Sequence, residues 1–320
     1  MPDIFNRKIE TGRSMSRRRF LGNAGAAAAA GWLASGKLSL AGESAKEDSI
    51  PSKQRYKIGV CDWMILKRQK LSAFKRTHEI GADGLEVDMG SLGDRVTFDS
   101  KLKDPAERRK FLDEAKKYNL DICSIAMSGF YAQSFAERPT APRMVKDCID
   151  TMQAMNVKIA FLPLGNPGDL IKHPELRPAI IERLRWAGTL AGDAGVVIGI
   201  ETALDAAGDV KLLEDIGLPA IRIYFNFSNV LQNGRDLHKE LRILGKDRIC
   251  QIHCTDQDGV WLQNDPKIDV PKVKKTLDEM GWSGWLVIER SRDATRTGAG
   301  DVVWNYGANT RYMKSVFQAD

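Results

Sequence analysis

The stretch Arg248 to Gly259, RICQIHCTDQDG, begins as an apolar run and then delivers His253, Thr255, Asp256 and Asp258 before a glycine. A fully buried parallel strand reads as a continuous hydrophobic run, and polar chemistry collects where such a run stops. Three other runs stop in the same way: VVIGI at Glu201, IRIYF at Asn226 and WLVI at Glu289. Two carboxylates, one imidazole and one carboxamide oxygen form a hard, mixed oxygen and nitrogen ligand set. Such a set suits Mn²⁺ first, with Mg²⁺ and Co²⁺ as alternatives, more than a thiolate-seeking ion. A divalent ion of this kind can hold the oxygen of a developing enediolate while a carboxylate removes the proton beside a sugar carbonyl. Return of that proton to the opposite face is epimerisation, and return to the neighbouring carbon is isomerisation. Expulsion of a leaving group β to the carbonyl makes the same intermediate a lyase reaction.

The four residues are separated by 25, 27 and 36 positions (201 to 226, 226 to 253, 253 to 289), each about one strand-plus-helix unit. From Tyr56 onward, short apolar runs alternate with longer amphipathic ones. Strands are expected at 57–61, 84–87, 121–126, 159–163, 196–201, 221–225, 249–253 and 285–289. Helices are expected at 71–80, 105–118, 143–155, 178–191, 210–216, 237–244, 270–280 and 309–316. Eight such units in residues 55–320 have the count and size of a single-domain TIM (β/α)8 barrel, whose active site lies at the carboxyl ends of its strands. A doubly wound sheet would carry a glycine-rich loop after the first strand, and Cys61-Asp62-Trp63-Met64 stands there instead. Glu86 and Asp62, at the ends of the second and first strands, are expected at the same mouth as contacts for substrate hydroxyls. Asp256 extends the cluster. Trp63, Phe130, Tyr131, Trp261 and Trp304 are aromatic residues in or near loops and offer faces to a sugar ring; His78, His173 and His238 read as structural or solvated.

Over about residues 56–318 the chain resembles the xylose-isomerase-like TIM barrels of the sugar phosphate isomerase/epimerase group. The resemblance is carried by GIET at 199–202, YFNFSN at 224–229, QIHCTDQDG at 251–259 with Trp261, and GWSGWLVIE at 281–289. It implies metal ligands at Glu201, Asn226, His253 and Glu289, with Asn226 standing where the family has Asp. An amide oxygen can ligate, but one negative charge fewer weakens metal binding and leaves the ion a stronger electrophile. The resemblance further implies that Glu201 and Glu289 are also the acid and base, and that Asn229 and Asp256 contact substrate. It specifies superfamily and site better than reaction. A keto-sugar lyase or dehydratase, and a carbohydrate-binding barrel without catalysis, remain alternatives.

The formal charge of +6 resides at the amino terminus: residues 1–41 hold seven Lys or Arg against Asp3 and Glu10, which leaves 41 basic and 40 acidic residues elsewhere. A near-neutral body with four His argues against a nucleic-acid partner and against the histidine-rich multi-zinc site of an endonuclease. Ser16-Arg17-Arg18-Arg19-Phe20-Leu21, an alanine-rich stretch and Ser39-Leu40-Ala41 resemble a twin-arginine export signal. Residues 42–54 read as a linker. The expectation is therefore export through the twin-arginine machinery, cleavage near Ala41, a periplasmic or secreted destination and an unphosphorylated carbohydrate substrate, with a homo-oligomer left open. The five cysteines include no CxxC pair and read as buried free thiols rather than a disulfide framework.

Overall fold

The computed structural model describes residues 54–90, 100–296 and 298–319. The proposed signal and nearly all of the linker lie outside them. Among the described residues, eight parallel strands close into a barrel in chain order, β1 pairing with both β2 and β8. They are β1 (Tyr56–Cys61), β2 (Gly84–Asp88), β3 (Asp121–Ala126), β4 (Ile159–Pro163), β5 (Val197–Glu201), β6 (Ile221–Asn226), β7 (Ile249–His253) and β8 (Gly284–Ile288). The helices are α1 (Ser72–Ile80), α2 (Pro105–Lys117), α3 (Ala141–Met155), α4 (Arg177–Asp193), α5 (Ala206–Ile216), α6 (Phe227–Gln232), α7 (Leu237–Leu244), α8 (Val270–Met280) and α9 (Val302–Phe317). This is the expected single-domain TIM barrel. None of the described helices is long and apolar enough to cross a membrane.

Alternation along each strand divides the core. Ile58 and Val60 of β1 have no exposed surface and belong to the large apolar layer between strands and helices. Each such side chain contributes about 1.5–3 kcal/mol of transfer free energy. Cys61, Cys123 and Val287 instead meet inside the barrel, and Ala126, Phe161 and Tyr224 form a second inner group. Gly199 on β5 makes room for the latter, since a Cβ there would come within 2.5 Å of Cys250 Sγ and 3.0 Å of Tyr224 Cβ. The five cysteines are free, Cys254 lying in the outer layer as alternation requires.

Aspartates start several helices by accepting backbone N–H bonds: Asp104 before α2, Asp205 before α5, Asp236 before α7 and Asp269 before α8. Three helical segments differ from expectation. α5 begins four residues before the expected Val210, at its Asp205 cap. α9 begins seven residues before the expected Asn309 and runs through Gly307, which lies near Ile80 O and the Arg311 guanidinium. α6 is a short turn of helix directly after β6, too brief to show a periodic pattern.

Candidate active site

Glu201, Asn226 and His253 end β5, β6 and β7, and Glu289 follows the last residue of β8. The barrel brings Glu201, Asn226 and Glu289 to the Nδ1 side of His253. The Nδ1 atom of His253 faces Glu201 Oε2 at 3.5 Å and Glu289 Oε2 at 3.8 Å, and it makes no hydrogen bond. The Asn226 amide nitrogen stands 2.8 Å from Glu201 Oε2 and 3.4 Å from Glu289 Oε2. All four residues are buried, with His253 at 0% exposure and Glu201 and Asn226 at 7%, so the carboxylate side faces the opening and the imidazole is its floor.

The other ring nitrogen of His253 points down the barrel to Glu86 Oε2 at 2.9 Å. Glu86 accepts the Nε2 proton, and Nδ1 is therefore the ring nitrogen turned to Glu201 and Glu289. Glu86 is itself held: Ser124 Oγ and Tyr224 OH donate to its Oε1 at 3.0 and 3.1 Å, and the Cys61 thiol donates to Oε2 at 3.4 Å. Gln251 Nε2 donates to Ser124 Oγ at 2.9 Å and to Tyr224 OH at 2.7 Å, closing a polar network in the barrel centre. Gln251 is the one member legible as a signal, a polar residue inside the apolar run of β7. Ser124 and Tyr224 give no such hint.

Charge inside the network is governed by burial. Desolvation pushes the His253 imidazole down, but the charges of Glu289 and Glu86 outweigh it and hold the ring up to about 10. Burial pushes the Glu289 carboxyl up, with the His253 charge opposing and the Glu201 charge adding. Burial likewise raises the Tyr131 phenol, and the Glu201 carboxylate adds to it. That phenol lies 3.4 Å from Glu201 Oε1 as a donor.

Aromatic rings wall the site. Trp63 and Phe161 are nearly parallel, with ring centres 6.4 Å apart, and Phe161 and Tyr224 lie 4.9 and 4.5 Å from the His253 ring. Tyr131 comes from the turn after β3. It reaches Glu201 because Gly165, at φ 60°, lets that turn pass; a Cβ would stand 2.5 Å from Phe130 O and 2.6 Å from Tyr131 O. The backbone after β8 is held in turn by Tyr306 OH on Glu289 O, Thr255 Oγ1 on Arg290 N and Asn309 Nδ2 on Ser291 O.

Other expected substrate contacts have different surroundings. Glu86 is corrected from a mouth residue to a buried one: it has no exposed surface, because β2 runs two residues further, to Asp88, and leaves it below the mouth. Asp62 is corrected in the same way; it has no exposed surface and accepts from Gln69 N at 2.8 Å. Burial and the neighbouring Asp88 push its carboxyl well up. Asp256 is buried and engaged by Gln232 and by Lys267 at 3.2 Å. Asn229 lies beside Glu201 and Asn226 and donates to Thr202 O at 3.1 Å. Trp261 donates to Asn305 Oδ1 at 2.9 Å and packs on Trp304, while Arg296 lies over the Trp304 ring at 3.9 Å. Phe130 is fully buried. Of the aromatic residues proposed from sequence, Trp63 and Tyr131 reach the strand-end site.

Residues 74–310 match the sequence model of the xylose isomerase-like TIM barrels. A protein of an Actinoplanes species, strain SE50/110, named 2-epi-5-epi-valiolone 7-phosphate 2-epimerase, is 27% identical over 208 residues, 62% of this chain and 72% of that protein. Among solved structures, 3-keto-D-glucoside 4-epimerase from E. coli superposes with a TM-score of 0.62 at 15% identity, covering 81% of this chain and 99% of that one. D-psicose 3-epimerase from Clostridium cellulolyticum H10 superposes with a TM-score of 0.65 at 12% identity, covering 82% and 99%. At these identities the two structures speak for the fold.

Proposed function

This chain belongs to the xylose isomerase-like TIM barrel family, and from that membership we propose that it is a metal-dependent epimerase or isomerase acting beside the carbonyl of a sugar or sugar derivative. The observation that carries the reading is the convergence of Glu201 Oε2 and Glu289 Oε2 on the buried, unpartnered His253 Nδ1, at 3.5 and 3.8 Å. Once Nδ1 gives up its proton, the imidazole and two carboxylates, with Glu86 on the far side of the ring, are a donor set that fits a hard or borderline divalent cation. Glu201, Glu289 and His253 would hold it, with Mn²⁺ the first choice. When bound, such an ion supplies the positive charge that stabilises an enediolate oxygen.

The residues of the chain supply the proton transfers. Glu201 and Glu289 lie on non-adjacent strands, so a sugar seated between them presents opposite faces to the two carboxylates. One removes the proton next to the carbonyl and the other returns one to the far face. Tyr131 donates to Glu201 Oε1 and so fixes which oxygen of that carboxylate faces the substrate. Trp63, Phe161 and Tyr131 exclude water around the carbanion. The epimerase names of the relative and of the solved structures support the reaction class. The SRRRFL run supports export through the twin-arginine machinery to the periplasm or medium, and with it an unphosphorylated substrate.

The test is incubation of the Mn²⁺-loaded protein with unphosphorylated ketoses and 3-keto-sugars in D₂O, followed by NMR. Deuterium entering the carbon beside the carbonyl, with inversion or carbonyl migration, supports the proposal. Loss of a hydroxyl to a dehydrated product makes the protein a lyase instead, and ligand binding without exchange makes it a carbohydrate-binding barrel.

A further inference from the structure

Asn226 is both the last residue of β6 and the cap of α6, and the second role decides what its side chain offers to the site. Its Oδ1 accepts from Ser228 N at 2.9 Å. With the oxygen committed there, the nitrogen points the other way and donates to Glu201 Oε2 at 2.8 Å and toward Glu289 Oε2 at 3.4 Å. Rotating the amide by half a turn would set an NH₂ group against the Ser228 N–H and a carbonyl oxygen against two carboxylates. All three contacts would change from attraction to repulsion, so the hydrogen-bond network permits one orientation.

We propose that Asn226 is not a metal ligand in this protein but a hydrogen-bond donor bridging the two glutamates, leaving a cation site of three protein ligands: Glu201, Glu289 and His253. This rests on the preceding reading that those three residues hold a divalent ion. A carboxylate at position 226 would face no conflict between its two tasks, since one oxygen caps Ser228 and the other points into the site. The amide cannot do both. It gives up one ligand and one negative charge, and in exchange its N–H groups keep the facing carboxylates in register without an ion. The expected properties are weaker metal binding, one more coordination position for substrate oxygen or water, and a site that is ordered before loading. Coordination number and ligand charge are the quantities that set affinity in such oxygen-rich sites.

The experiment compares the full chain with Asn226→Asp and Asn226→Ser, both of which keep a side chain able to cap α6. Each is stripped with a chelator, melted with and without Mn²⁺, and titrated with Mn²⁺ by calorimetry. Asn226→Asp is expected to melt below wild type in chelator, because a third carboxylate then replaces the amide donor between Glu201 and Glu289. It should gain more from Mn²⁺ and bind it about tenfold or more tightly. Asn226→Ser, which loses the bridge but no ligand, is expected to melt below wild type in chelator. The proposal is overturned if Asn226→Asp binds no more tightly than wild type, or if Asn226→Ser melts with wild type in chelator. If wild type binds no Mn²⁺ while Asn226→Asp does, the amide stands as a donor and the metal-dependent reading of the wild-type protein falls.

Discussion

Glu86 and His253, 167 positions apart in the chain, meet at 2.9 Å with neither side chain exposed to solvent. The pair decides which ring nitrogen faces the two glutamates: Nε2 is engaged from below, so Nδ1 is turned to them. Changing Glu86 to Gln removes the charge that holds the Nε2 proton. The tautomer or ring orientation that frees Nδ1 is then no longer favoured. Mn²⁺ affinity should fall by about 10- to 100-fold, as for other partners of metal-bound histidines. Calorimetric titration giving a wild-type affinity would remove Glu86 from this role.

For Glu289, substitution by Gln keeps an oxygen ligand and nearly the same shape but loses the basic lone pair. Activity should drop by about 10²–10⁴ while metal content falls less. The measurement is exchange of the substrate proton with solvent deuterium, alongside metal analysis. Wild-type exchange in the loaded variant would show that Glu289 is not the base for that proton, and the same substitution at Glu201 would then be examined.

Gly165 is where the loop after β4 lets Tyr131 approach Glu201. An alanine there must adopt φ near 60° and place its Cβ 2.5 Å from Phe130 O. Gly165→Ala should cost on the order of 1–3 kcal/mol of stability from the strained backbone. It should also lower kcat by displacing the Tyr131 phenol. Urea unfolding and steady-state kinetics check both; wild-type stability with wild-type kcat would show that the turn relaxes without cost.

Asp209 in α5 is buried against Thr202, whose hydroxyl donates to its Oδ1 at 2.6 Å, and burial pushes its carboxyl up to about 7, with Thr202 and Arg235 opposing. A group raised in the folded state stabilises fully below its unfolded value, near 3.8, and that contribution is lost as pH rises through about 7. The loss is on the order of 4 kcal/mol at 1.36 kcal/mol per unit. Asp209→Asn cannot titrate, so its stability relative to wild type should rise between pH 4 and 8. Denaturant midpoints of both proteins across that range measure it; a constant difference would contradict the assignment.

Replacing Arg17 and Arg18 by Lys should trap the precursor in the cytoplasm of the source organism. Fractionation and immunoblotting read the outcome. Unchanged export would reject the twin-arginine assignment.

Much of this molecule is written locally. The apolar runs ending at Glu201, Asn226, His253 and Glu289 mark both the strands and the strand ends, because a parallel strand buried on both faces has no polar residue to spare until it reaches the mouth. Their near-even spacing reports the repeated strand-and-helix unit, and alternation along β7 places Cys254 in the outer layer. Local sequence does not carry contacts that depend on register between distant strands. Glu86 is expected near the mouth as Glu201 is, yet β2 continues through Val87 and Asp88 and leaves it beneath His253. Tyr131 acts on Glu201 from 70 positions away because Gly165 clears its path. Asn226 reads from sequence as an oxygen donor at a strand end; the start of α6, too short to leave a period, claims that oxygen and turns the nitrogen inward. Strand ends are set by burial, which acts residue by residue, whereas the direction of each polar atom is set by the partners that the closed barrel brings to it.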